Sequence, residues 1–316
     1  MPTDQHPGDH PTEPFDVVVV GEALVDIVVS PRGTAEHPGG SPANVAYGLG
    51  RLGVSTGLMT SIGDDHYAAA IEKHLHSAGV RLLPGSRGTG VTATATAVLA
   101  SDGSAQYDFD IRWELPRIAP SALPKILHTG SIATFLAPGA SVVRELLEQS
   151  HRRCMVTYDP NIRPALLGSQ AEATTLFEDL LPFTDVVKLS DEDAHWLYPR
   201  LTVDQISQRI LGSGPALVAV TRGGDGSLLT TRDAQVAVPS VRSAVADTIG
   251  AGDSYMSALI YGLLMRGADG LAPSVLEALG RMAAKAAAIT VRRPGAHPPT
   301  LDELGADLLE HEPAAT

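Results

Sequence analysis

Short β-branched runs alternate with amphipathic stretches along most of this chain, and that alternation restricts the fold more than any other feature. The first run, FDVVVVGEALVDIVV at residues 15–29, holds four consecutive valines that end at Gly21. An unbroken apolar run of this kind suits a parallel strand buried on both faces. A helix is expected next, over residues 42–52, with Ser41 as N-cap, Pro42 in the first turn and Gly53 as the stop. TGLMTSIG reads as a strand and DDHYAAAIEKHLHSAGV as an amphipathic helix. Beyond Pro120 the same order repeats, with KILHTGSI, CMVTYDPN, DVVKLS and ALVAVTRG as strands separated by helical segments. SLLTTR and QVAVPS pair as a hairpin, and two long helices follow, beginning near Gly250 and Pro273. This order predicts an α/β fold with an open, mostly parallel sheet covered by helices on both faces.

One segment breaks the alternation. VTATATAVLASDGSAQYDFDI, residues 91–111, alternates Thr, Ala and Val around a central Asp-Gly. That is a hairpin pattern, and it predicts a small separate sheet joined by the extended chain near residues 27–38.

Composition narrows the class. With 23 basic and 36 acidic residues the formal charge is −13, which disfavours non-specific contact with nucleic acid or an anionic membrane. The single cysteine, Cys154, excludes an internal disulfide framework and reads as a small core residue. No apolar run approaches the roughly 20 residues of a membrane helix. Residues 1–14 are polar and proline-rich and are expected to form a disordered tail, residues 309–316 a second one, and the protein to be cytoplasmic.

Two stretches carry chemistry. In DTIGAGDSYMSALIYGLL, Asp247–Leu264, the small residues Gly250, Ala251 and Gly252 precede Asp253 at a helix start. Backbone N–H groups there can receive a phosphoryl group, and a carboxylate in the same turn can take the proton of an attacking hydroxyl. In GGSPANVAYGLGRLG, Gly39–Gly53, paired glycines let a ligand approach the chain, and Asn44 offers both a donor and an acceptor. Alone, each stretch also reads as a plain turn before a helix.

Together, about 200 residues apart and in this order, the two stretches resemble the paired signatures of the PfkB (ribokinase-like) carbohydrate kinases, over roughly residues 15–304. The resemblance implies a three-layer α/β/α ribokinase-like domain, residues 15–308, with a mostly parallel sheet and a small β-sheet lid from about 27–38 and 90–118. It also implies ATP with Mg²⁺, and Asp253 as catalytic base beside an anion hole of Gly250, Ala251 and Gly252. Sugar would be held by Asp26, Gly39, Gly40 and Asn44. VTRGGDGS, Val220–Ser227, resembles the family's nucleotide loop, which nominates Thr221, Gly223, Gly224 and Gly226. KLSDEDAHWL departs from the family's Asn-x-x-Glu and has Ser190 and Asp193 instead. Asp193 then bears on Mg²⁺ through a shorter side chain, and Lys188 and Ser190 on phosphate. Asp247 and the carbonyl of Ile249 match part of a monovalent-cation site, which implies K⁺. The resemblance also allows a homodimer paired through the lid.

DPNIRPALL, Asp159–Leu167, resembles a segment of fructokinases and of 2-keto-3-deoxygluconate kinases, and places Arg163 near sugar or phosphate. The GEALVDIV opening and the GAHPPT ending favour fructokinase, with 2-keto-3-deoxygluconate kinase and ribokinase as alternatives. Tyr107, Phe109 and Trp113 are candidate sugar-stacking groups of the lid, or its core. A non-catalytic sugar or nucleotide binder is the rival of a different class. A dinucleotide-binding enzyme and a P-loop NTPase are disfavoured by the absence of G-x-G-x-x-G after the first strand and of G-x-x-x-x-G-K-[ST].

Overall fold

The four valines of β1 (Val17–Val20) are each at most 1% exposed. Their side chains point alternately to two cores, as the period of a strand requires. Val17 and Val19 enter one core with Leu58, Met256 and Leu259, whereas Val18 and Val20 enter another with Leu127, Leu147 and Phe177. This two-sided burial is the expected signature of a central parallel strand.

The computed structural model describes residues 15–30, 33–99, 105–116, 123–267 and 270–305. Nine of its strands form the main sheet. They are β1, β4 (Thr56–Met59), β5 (Arg81–Leu82), β8 (Ile126–Gly130), β9 (Met155–Asp159), β10 (Val186–Ser190), β11 (Leu217–Thr221), β12 (Ser227–Thr230) and β13 (Gln235–Val238). Their order is β13-β12-β11-β10-β9-β8-β1-β4-β5. The pairings from β5 through β11 are parallel, and β12 and β13 extend the sheet antiparallel.

Helices α1 (Ser41–Arg51), α2 (His66–Ser77), α7 (Ala251–Arg266) and α8 (Pro273–Thr290) cover one face. Helices α3 (Gly139–Ser150), α4 (Gln170–Leu180), α5 (Asp191–Leu197) and α6 (Val203–Gly212) cover the other, and a short α9 (Leu301–Leu304) follows α8. The three-layer expectation therefore holds.

The second sheet is small and separate, in the order β3-β2-β6-β7. It contains β2 (Leu24–Ser30), β3 (Gly33–Gly39), β6 (Thr94–Leu99) and β7 (Ala105–Asp110). It starts at Leu24, three residues earlier than the sequence suggested, so Asp26 sits inside a strand, opposite His37 and Ala95. The expected tails at 1–14 and 309–316 lie outside the described residues. Among the described residues no helix is long and apolar enough to cross a membrane.

β1 is the switch point of the main sheet. The chain passes from it to β4 on one side and later returns to β8 on the other. Open α/β sheets bind ligands at the carboxyl ends of strands at such a point. There β1 hands directly to β2, and β3 hands directly to α1.

Candidate active site

Gly250 opens α7 in the left-handed region, at φ 74°. A Cβ at this position would come within 2.6 Å of the Ala296 Cβ, so only glycine fits the turn without moving its neighbour. The turn places Asp253 in the first helical turn, where backbone N–H groups lack helical partners. Asp253 is 8% exposed. Its Oδ1 accepts from Ser41 Oγ at 2.6 Å, and its Oδ2 accepts from Asn44 Nδ2 at 2.8 Å. The two sequence motifs thus meet in one pair of charge-assisted hydrogen bonds.

Ser41 is not the N-cap the sequence suggested. Gly40 caps α1 at φ 97°, and a Cβ there would strike the Glu22 carbonyl at 2.7 Å. The cap falls to Gly40 because the chain must pass this close to β1, and the Ser41 hydroxyl is left for Asp253.

Lys188 lies below this turn, on β10. A Cβ added to Gly252 would be 3.0 Å from Lys188 Nζ. The ammonium is 2.8 Å from Asp159 Oδ2, and both side chains are at most 5% exposed. Burial alone would discharge Lys188, but Asp159, then Asp193 and Asp253, more than offset it and hold its pKa above the usual lysine value. Burial pushes Asp159 up to about 6 against the pull of Lys188. The pair is therefore ionised at neutral pH. Asp159 Oδ1 is buried and has no hydrogen-bond partner among the described residues. Behind the pair, buried His128 faces Thr157 Oγ1 at 2.9 Å. Burial and the nearby Lys188 push the pKa of His128 down to about 3, so it is neutral.

The other side of Asp253 faces the small sheet. Gly39 lies directly against the Asp26 carboxylate. Burial raises Asp26 to about 6, with His37 and Arg163 opposing and Asp253 adding to the rise. Glu22, at the end of β1, is 4% exposed, and its Oε2 accepts from Ala133 N at 3.2 Å. Burial raises its pKa to about 8, against hydrogen bonds from Ser131 and Ala133 and the charge of Arg163. Glu22 is therefore protonated at neutral pH. Arg163 is exposed, and its Nη1 donates to Asn161 Oδ1 at 2.7 Å.

The remaining candidates sit at the carboxyl ends of β10 and β11. Ser190 and Thr221 are cross-strand neighbours, and Thr221 Oγ1 donates to the Leu189 carbonyl at 3.5 Å. Gly223, Gly224 and Gly226 form the turn into β12, and the Gly224 carbonyl accepts from Ser240 Oγ at 2.5 Å. Ser190 and Asp193 form a capping box on α5. Asp193 Oδ1 accepts from Ile162 N at 2.9 Å and Oδ2 from Ser190 N at 3.2 Å, so both oxygens already serve the backbone. Asp247 ties two loops together, accepting from Ile249 N at 3.0 Å and from Gly295 N at 2.8 Å. Among the described residues no group of three His, Cys, Asp or Glu side chains is set to hold a metal.

Trp113 does not face the site. It is 3% exposed, packs on Gly139 in the α3 face core and donates from Nε1 to the Ala133 carbonyl at 3.0 Å. Phe109 is half-buried, and the side chain of Tyr107 lies outside the described residues.

Residues 15–303 match the pfkB family carbohydrate kinase profile. The chain belongs to that family. It is a sugar phosphotransferase. A fructokinase of Rhizobium leguminosarum bv. trifolii is 31% identical over 261 residues, covering 79% of this chain and 80% of that one. A fructokinase of Xylella fastidiosa, solved with bound ATP, is 25% identical with a TM-score of 0.81 over 93% of this chain and 98% of that one. A sugar kinase of Pyrococcus horikoshii, solved with ATP, is 27% identical with a TM-score of 0.77, over 91% and 96%.

Sequence reasoning missed Glu22, Ser41 and Asp159 as members of this cluster. Glu22 and Asp159 stood inside quoted motifs, but nothing in the residue order says that a carboxyl is buried.

Proposed function

We propose that this kinase transfers the γ-phosphate of ATP to a hydroxyl of a small neutral sugar, with fructose as the first choice. The observation that carries the reading is Asp253, held by Ser41 and Asn44 at the start of α7 and next to the buried Lys188. ATP supplies the transferable phosphoryl group, and Mg²⁺ supplies charge neutralisation on its phosphates. The first-turn amides around Gly250, Ala251 and Gly252 and the Lys188 ammonium fit the transferred group, because both direct positive charge at one point. Thr221, Ser190 and the Gly223–Gly226 turn, at the neighbouring strand ends, fit the rest of the nucleotide. Asp193, whose oxygens are engaged by backbone, fits a water-bridged contact with Mg²⁺ better than a direct one. Asp247 and the Ile249 carbonyl are the groups that would hold K⁺, and exchanging KCl for tetramethylammonium chloride measures it.

The Asp253 carboxylate removes the hydroxyl proton as the new O–P bond forms, and ADP leaves with the electrons of the broken bond. Ser41 and Asn44 aim the carboxylate, so little reorganisation is needed at reaction. Asp26, Gly39, Gly40 and Asn44 line the sugar side. The small sheet would close over the sugar and exclude water.

Electrostatics favours a neutral acceptor. Asp26 and Asp253 already repel each other, and Arg163 is shared between Glu22 and Asp26. A sugar acid would add a further negative charge to that group. The fructokinase relatives support fructose on separate grounds. Coupled ADP release with fructose, ribose, 2-keto-3-deoxygluconate and adenosine tests the reading. Fructose is expected to give the highest kcat/KM. Preference for the sugar acid would sink the neutral-acceptor reading, and no ADP release with any sugar would sink the whole proposal.

A further inference from the structure

The electrostatics reverse sign on the far side of α8. A groove of about 570 Å³ is lined there by Pro239, Ser240 and Val241 from the β13-to-α7 connection, and by side chains of α8, the following loop and α9. Four cations line it, Arg281, Lys285, Arg292 and Arg293, against one carboxylate, Glu303. This is the opposite balance to a chain of net charge −13. Arg281, Lys285 and Ile289 recur every four residues and share one helix face. Arg281 is bonded to Glu277, and Arg293 to Glu303. Lys285 and Arg292 have no carboxylate partner among the described residues, although Lys285 is half-buried. Pro239, Val241 and Ile289 give the groove an apolar part, with Val241 41% exposed.

We propose that this groove is a second ligand site, for a small phosphate monoester, separate from the nucleotide and sugar sites. A guanidinium and an ammonium lining one groove suit a phosphate dianion, and the apolar part suits the ester's organic group. None of Thr221, Gly223, Gly226 or Asp253 lines it. It is nevertheless joined to the candidate site by two contacts. Ser240 Oγ donates to the Gly224 carbonyl, and Arg292 Nε donates to Ser243 Oγ on the connection that ends in Gly250. Occupancy therefore bears on the nucleotide loop and the anion-hole turn.

The test is calorimetric titration of phenyl phosphate and of inorganic phosphate into the complete chain, residues 306–316 included, at constant ionic strength set with chloride. The protein is first saturated with a non-hydrolysable ATP analogue. Saturable binding is expected, with phenyl phosphate at least threefold tighter than inorganic phosphate. Lys285→Glu should weaken it tenfold or more, whereas Lys285→Arg should stay within about threefold of the parent. A parallel assay should give a phosphate-ester effect on the KM for ATP that Lys285→Glu abolishes. Binding that the ATP analogue displaces, binding unchanged in Lys285→Glu, or no binding to the complete chain each overturns the proposal. Because binding is read directly, it can fail or succeed independently of the sugar-kinase reading.

Discussion

Two charged clusters flank Asp253, and they are built on opposite principles. On the β10 side, Lys188 and Asp159 are both buried and neutralise each other, with a helix start above them. On the small-sheet side, Glu22 and Asp26 carry raised pKa values and share Arg163 as a positive neighbour, with His37 acting on Asp26. The first cluster balances its charges within the protein alone, as expected of a site that must meet developing negative charge without rearranging. The second is left under-compensated, as expected of a site where the Asp26 carboxylate waits for the hydroxyl donors of a ligand beside a neutral Glu22. Asp253 feels both clusters, since it raises Asp26 and Asp159 alike.

Removing the shared member has the largest expected effect. Asp253→Asn keeps the shape but not the base, and turnover should fall by about two to four orders of magnitude. Sugar KM should move much less. Near-normal turnover would separate Asp253 from proton removal and dissolve the link between the clusters. Next comes Asp159→Asn, which strands a buried ammonium. A stability loss of about 3–5 kcal/mol is expected, the scale for breaking a buried pair, and chemical denaturation measures it. A loss below 1 kcal/mol, of the size of a surface pair, would mean that Lys188 does not depend on Asp159.

The small-sheet side should answer to pH instead. Asp26 is ionised above about pH 6 and accepts most strongly from hydroxyls in that form. Sugar KM should rise about tenfold as pH falls from 7 to 5, with a flat profile in Asp26→Asn. A wild-type KM independent of pH over this range would remove Asp26 from sugar binding. Ser41→Ala deletes one of the two donors to Asp253 and should lower turnover about tenfold, the effect of losing one hydrogen bond to a charge. An unchanged turnover would mean that Asn44 alone orients the base.

A separate effect is on stability and concerns Glu22. Its pKa is about 8 in the fold against 4.5 for the free group, so the unfolded chain releases the proton first. The contribution of Glu22 is whole at low pH and is lost as pH rises from about 4.5 to about 8. Glu22→Gln cannot ionise, so its melting temperature relative to wild type should be higher at pH 9 than at pH 6. Equal differences at both pH values would show that Glu22 is not held neutral.

Much of this was legible in the sequence because local pattern dictates it. The order of strands and helices follows from β-branched runs and amphipathic periods, and the Gly-Ala-Gly-Asp turn announces its own helix start. Asp253, Asn44 and the glycines needed no coordinates to be nominated. The clusters were less legible because they depend on distant partners. Lys188 reads as a phosphate contact, but its buried partner is invisible until β9 brings Asp159 beside it. Ser41 reads as a cap until α7 arrives 212 residues later. Trp113 reads equally as a sugar-stacking group or as core, and the space that Gly139 leaves for the indole is what puts it in the core. The start of the small sheet at Leu24 was hidden because GEALVDIV is apolar enough to prolong β1.

The bond between Asn44 and Asp253 spans 209 residues. During synthesis the first of these residues must therefore wait for most of the polypeptide to emerge before its partner exists. No fragment ending before α7 contains the proposed base, and none beginning after α1 contains its clamp. Phosphoryl transfer should switch on in a single step when the two ends close, and regained activity during refolding would time that closure.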